Sequence, residues 1–235
     1  MATRNLEKAK NKNTPARKKP GASDESAAAR TRLEEEAPRR LVEGSASVSM
    51  ERPTDILRHE HEVIERVLDA QDALCVDIER GAQVPVDVLV DLVAFFTSYA
   101  DERHHHKEEA LLFPALAAAG MPAKVGPIAV MLHEHELGRS LTRRMGAAVE
   151  TLRGGNADGA VSFAQAARQY ASLLRNHIAK ENGVLFELAE RILDASGKHR
   201  LVEAFQSFDA RTGSASAPSP RLGDLLGQAA PHAEI

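Results

Sequence analysis

The chain has 235 residues, with 30 Lys and Arg against 34 Asp and Glu and a formal net charge of −4. That balance excludes the cationic surplus of a polyanion binder, and aromatics at 4% with no Trp leave few surfaces for stacking bases, so nucleic acid is not an expected partner. The single cysteine, Cys75, excludes an intrachain disulfide framework and thiolate-rich metal sites, and leaves ten histidines as the outstanding feature.

Residues 1–51 are rich in Ala, Ser, Lys, Arg and Glu. Such a composition buries too little apolar surface to offset ordering entropy, so the stretch is expected to be a disordered basic and polar tail. No apolar segment follows its basic start, which argues against a secretory signal. No apolar run is long enough to span a membrane, and a cytoplasmic location is the default expectation.

From 52 to 210 the hydrophobic pattern is helical. The first helix opens at Pro53-Thr54-Asp55 and runs to Gly81, and the second lies between Pro85 and Pro114. The third runs from about Pro127 to Gly154-Gly155 and the fourth from about Gly159 to Ser196, with a shorter amphipathic piece carrying Leu201, Phe205 and Phe208. Short connections between long helices predict an all-α fold, an up-down-up-down antiparallel four-helix bundle with a short extra C-terminal helix. Residues 211–235 read as a second tail, in which Leu222, Leu225 and Leu226 are a candidate docking peptide for a protein partner.

The bundle contains a repeat. Residues 59–64 read HEHEVI and 133–138 read HEHELG, while 104–113 read HHHKEEALLF and 177–186 read HIAKENGVLF. His61 precedes His104 by 43 residues and His135 precedes His177 by 42, so one helical hairpin recurs and pseudo-two-fold packing is expected.

The repeat selects among the histidines. Aligning Lys107-Glu108 with Lys180-Glu181 pairs His104 with His177 and sets His105 against Ile178. Leu89, Val93, Phe96, Ala100, His104, Glu108 and Leu111 form one stripe, as do Phe163, Ala167, Tyr170, Leu174, His177, Glu181, Val184 and Leu188. His105 falls with Asp101 and Glu109 on a wet face, where an outer role beside the ligands is its functional alternative. In the first helix His61 lies in phase with Leu57, Ile64 and Leu68, and His59 does not. The third helix leaves His133 and His135 both open, and the repeat transfers the choice to His135.

Each hairpin thus offers a lone histidine and a His-x-x-x-Glu pair to one core. Residues four apart share a helix face, so imidazole and carboxylate can converge on one ion. Two such points suit a dinuclear site, with iron or manganese favoured by imidazole and carboxylate without thiolate. The simpler reading of any one pair is a hydrogen-bonded or solvated histidine, and repetition at matched spacing weighs against it. The His-Glu-x-x-His of a metalloprotease is absent, and of the paired Glu-x-x-His motifs of a ferritin-like centre only Glu102 to His105 is present.

His61 in HEHEVI, HHHKEEALLFP from His104, His135 in MLHEHELGR and HIAKENGVLF from His177 together resemble the hemerythrin-like, or hemerythrin HHE cation-binding, family in its bacterial form. The resemblance covers about residues 52–210. It implies two non-haem iron ions as cofactor, with His61, His104, His135 and His177 as terminal ligands and Glu108 and Glu181 as bridges. The oxygen carriers of that family have a further His-x-x-x-His ligand on the third helix, and His133 and His135 are only two apart. With four histidines, about two of the twelve octahedral positions stay open. The resemblance implies O2, peroxide or nitric oxide as small ligands and a peroxidase-like or nitric-oxide-handling turnover as the enzymatic form. An iron-binding or iron-donating module in iron homeostasis or cluster repair is the alternative. Tyr170, two turns before His177, is the candidate electron or hydrogen-bond donor, with a plain core aromatic as its other reading.

Overall fold

The structure, a computed structural model, describes residues 52–212 and 219–223. The expected N-terminal tail, Leu225, Leu226 and His232 lie outside them. All regular elements among the described residues are helical. Helix α1 is Pro53–Glu79, α2 occupies 86–118, α3 is Pro127–Arg153, α4 occupies 158–192 and α5 is Ala195–Thr212. The first four form the expected bundle.

Local chemistry sets the boundaries. Proline begins α1 and α3, where a missing N–H costs nothing, and Gly81 and Gly155, at φ of 81° and 86°, end α1 and α3 in the left-handed region. Gly159 opens the next helix so close to α3 that an added Cβ would stand 2.6 Å from the Leu152 amide nitrogen. The fourth helix stops at Ile192 rather than near Ser196, because Leu193 is extended and the Asp194 carboxylate caps α5 by accepting from the Gly197 amide at 2.6 Å.

Helix α2 does not stop before Pro114. It is α-helical over Val86–Phe95, π-helical over Phe96–His105 and Glu108–Leu112, and α-helical again over Phe113–Ala118. Pro114 falls where the widened ladder returns to α winding, so the backbone accommodates its ring and its missing donor. Helix α4 contains a matching π turn at Glu181–Leu185. These turns change the phase of the apolar stripe. Leu112 and Leu185 are buried, whereas Val184, assigned to the core stripe from the sequence, is half exposed.

Two apolar clusters fill the bundle. One includes Ile64, Leu68, Leu89, Phe96, Ala100, Phe163, Tyr170 and Leu174, and the other Leu57, Leu112, Leu116, Met131, Leu185, Phe186 and Phe205. Full burial of one such large side chain stabilises by about 1.5–3 kcal/mol. On every bundle helix the candidate ligands fall between a residue of the first cluster and one of the second, so they form a polar layer sealed on both sides.

The C-terminal stretch read as a tail contributes packed structure. Leu222 is buried in the first cluster, and Arg221 and Ser219 contact Asp91 at 2.9 and 2.7 Å. An apolar side chain flanked by groups that meet an acidic helix start anchors this short turn.

A candidate metal centre in the buried layer

His61, His104, His135, His177, Glu108 and Glu181 are all buried and meet in this layer. His61 Nε2 lies 3.1 Å and His177 Nε2 3.2 Å from Glu181 Oε2, while His104 Nε2 lies 3.6 Å from Glu108 Oε1 and His135 Nε2 3.4 Å from Glu108 Oε2. Each glutamate therefore faces its own helix's histidine and the lone histidine of the other hairpin. Two groups of donors result: His61, His104, Glu108 and Glu181, and His105, Glu108, His135 and His177.

His105 corrects the sequence reading. It is buried, its ring stacks on His135 at 4.0 Å, and it joins the second donor group. The π winding of Phe96–His105 is the reason: α-helical phase puts consecutive residues on different faces, and the wider turns bring His104 and His105 to the same interior. His133 and His59 are exposed, and His106 is exposed and stacks on Phe208 of α5. Tyr170 is not among the converging groups. It belongs to the apolar cluster, with its ring on Phe96 and its edge beside Gly138.

Behind the ligands stands a second ring of polar groups. The Nδ1 atoms of His104 and His177 donate to Glu60 at 3.0 Å and Glu134 at 3.1 Å. Those of His61 and His135 donate to Asn182 at 2.9 Å and Glu109 at 2.7 Å, and His105 lies 3.4 Å from Asp101. Arg139 donates to both Asp101 and Glu109 at 3.0 Å and ties those two supports together. Sequence reasoning missed this ring. Its signal was in the repeat, since Glu60 and Glu134 are the residues immediately before His61 and His135, and Glu109 and Asn182 occupy matched positions.

Each of these Nδ1 contacts fixes the ring and leaves Nε2 as the nitrogen that faces the layer. Burial and the neighbouring His61 push His104 down to about 4, and burial and His135 push His105 down to about 3. Burial and the adjacent Glu181 push the Glu108 carboxyl well above its ordinary range. Burial acts the same way on Glu181, but His177 and His61 outweigh it and hold Glu181 well below that range. For Glu60, burial is overcome by the His104 and Lys107 contacts, which hold it down at about 2.

One observation tests whether these residues fit a metal. All four oxygens of Glu108 and Glu181 and the Nε2 atoms of His61, His104 and His105 are buried without a hydrogen-bond partner. Buried polar atoms are ordinarily satisfied, and two fully buried carboxylates that meet only imidazole nitrogens are costly without a cation. Acceptors that share one layer, lack donors and are oriented by an outer ring fit cations.

A helical bundle with such a layer defines the class: an all-α cation-binding protein. The Hemerythrin HHE cation binding domain model matches residues 52–189, and the chain belongs to that family. Curated relatives include an uncharacterized protein of Mycobacterium bovis and uncharacterized proteins of two Mycobacterium tuberculosis strains, each 25% identical over 159 residues, or 68% of this chain. The aligned region spans 61% of the length of those relatives. No solved structure matches the chain significantly. No described helix is long and apolar enough to cross a membrane.

Proposed function

We propose that the chain is a non-haem di-iron protein that binds or senses O2, peroxide or nitric oxide within the bundle. His61 and His104 would hold one iron and His105, His135 and His177 the other, with Glu108 and Glu181 between them. The observation that carries this reading is the set of seven partnerless buried acceptors drawn from five ligands. Imidazole and carboxylate donors without thiolate favour iron or manganese over a closed zinc site.

A pair of irons supplies coordination positions for a small ligand and a two-electron reservoir. The residues supply the rest. Glu60, Asp101, Glu109, Glu134 and Asn182 keep the imidazole lone pairs directed inward, and the two apolar clusters exclude bulk water. Counting His105, five imidazoles and two carboxylates would fill more of the positions around two ions than the four-histidine reading does, and would leave fewer for a small ligand. The His61 and His104 end, with fewer imidazoles, is where a small ligand would find room.

The test is the iron content of iron-supplemented protein, followed by its absorption on adding O2, peroxide or nitric oxide. Two irons per chain and an oxo-bridge absorption that responds to a small ligand are expected. Fewer than one iron per chain, without that absorption, overturns the reading. Peroxide turnover that disappears in His104→Ala or His177→Ala separates an enzyme from a binder or sensor.

A further inference from the structure

The carboxylates behind His104 and His177 are held in different ways. Glu60 accepts from Lys107 at 2.6 Å, and Lys107 continues to Asp209 of α5 at 2.8 Å. Arg103 spans the same two carboxylates, with Nε 3.3 Å from Glu60 and 3.1 Å from Asp209. Lys107 is fully buried, and its ammonium lies 5.9 Å from the Phe205 ring. In the other hairpin the matched Lys180 also donates to Glu134, but Lys180 is 41% exposed. The residue matched to Arg103 is Asn176, which donates to the Ser172 carbonyl of its own helix. Among the described residues nothing there takes the part of Asp209. Helix α5 begins at Ala195, beyond the residues matched by the family model.

We infer that Asp209 is a positioning residue for the metal on the His61 and His104 side: through Lys107 it fixes Glu60, and through Glu60 the ring of His104. Helix α5 thereby sets how firmly one position of the pair is held and leaves the other to the bundle alone. The inference rests on the dinuclear reading. A group that orients a ligand histidine typically contributes about 10–100-fold to metal affinity, and Asp209 acts one link further out, at the lower end of that range.

The experiment is a chelator challenge of the iron-loaded full chain, with released iron read by colour and the remaining centre by visible absorption. Wild-type protein is expected to release its irons in two steps. Asp209→Asn speeds one step about 10-fold, leaves the other unchanged and shifts the visible spectrum, while Asp209→Glu restores both. Lys107→Met, which cuts the same link, speeds the same step. Far-UV circular dichroism and melting of each variant verify that the bundle is retained. Equal acceleration of both steps, no acceleration, or different steps affected by Asp209→Asn and Lys107→Met overturns the inference. Wild-type protein that holds fewer than two irons removes the dinuclear reading and the inference with it. Two irons with unchanged release from Asp209→Asn removes the inference alone.

Discussion

Ile56 of α1 and Leu111 of α2 are partly buried against the cluster that contains Leu201 and Phe205 of α5. Their repeat partners, Val130 and Val184, are 44% and 50% exposed. The same pattern therefore meets a fifth helix in one hairpin and solvent in the other. The ligands themselves do not register this: His61, His104, His135 and His177 are equally buried. Repetition fixes the spacing of the inner donors, and the surroundings added to each hairpin decide what else those donors touch. The first hairpin has His105 and a buried ammonium, and the second has an open face.

Five experiments break or sharpen this comparison. The largest effect is expected from the groups that belong to both hairpins. Glu108→Ala or Glu181→Ala removes a carboxylate that faces a histidine of each hairpin, and the prediction is loss of bound metal and of its visible absorption, read by metal analysis. For metal-free protein Glu108 also gives a pH dependence. Its folded pKa is raised, so its contribution is fully present below the ordinary carboxyl value of 4.5 and is lost as pH rises above it. Metal-free Glu108→Gln should lose that decline in urea unfolding curves measured from pH 4 to pH 8.

Making the hairpins alike comes next. His105→Ile installs the residue found at the matched position 178, and one metal should bind more weakly while the other is retained. Stoichiometric titration followed by visible spectra checks it, and loss of both metals together would show that His105 is not confined to one end.

The matched lysines should then separate by burial. Lys107→Met leaves Glu60 and Asp209 to share Arg103, and the loss of a fully buried ammonium is expected to cost up to about 3–5 kcal/mol. Lys180→Met removes a half-exposed pair worth about 0.2–1 kcal/mol. Equal losses in denaturant unfolding would erase the distinction between the hairpins.

A contrast that does not involve the metal or the charges lies at Ile64 and its partner Gly138. Ile64→Ala deletes fully buried methyl groups at a cost of about 2–5 kcal/mol. At Gly138 a Cβ would stand 3.6 Å from Tyr170 Cε2, an ordinary contact, so Gly138→Ala should gain up to about 1 kcal/mol from helix propensity. Thermal melts of both variants test the pair.

Much of this was legible in the sequence because amphipathic spacing and repetition are local signals. The four long helices, the inward choice of His61, His104, His135 and His177, and the pairing of Glu108 with Glu181 all come from those signals. The winding of the backbone was not legible. The sequence reading assumed α-helical phase, and three π stretches moved His105 inward and Val184 outward. The outer ring left only the repeat of Glu60 and Glu134 as a trace, because what makes them supports is the imidazole that the facing helix supplies. The docked Leu222 depended on a tertiary surface offered by α2, which no pattern within residues 219–223 announces.

The π-helical stretch Phe96–His105 has a further consequence. An α-helix advances about 100° per residue, so two adjacent side chains diverge. A wider stretch is stored chain length: it takes up additional backbone between Leu92 and Leu112 while both remain on the core. Deleting one residue within 97–103 would let that stretch return to α winding with its flanks still in place. The bundle would survive such a deletion, and the centre would lose the access of one of its two neighbouring imidazoles. The difference between a symmetric and an asymmetric centre is thus written in the length of one helical segment as well as in the chemistry of its side chains.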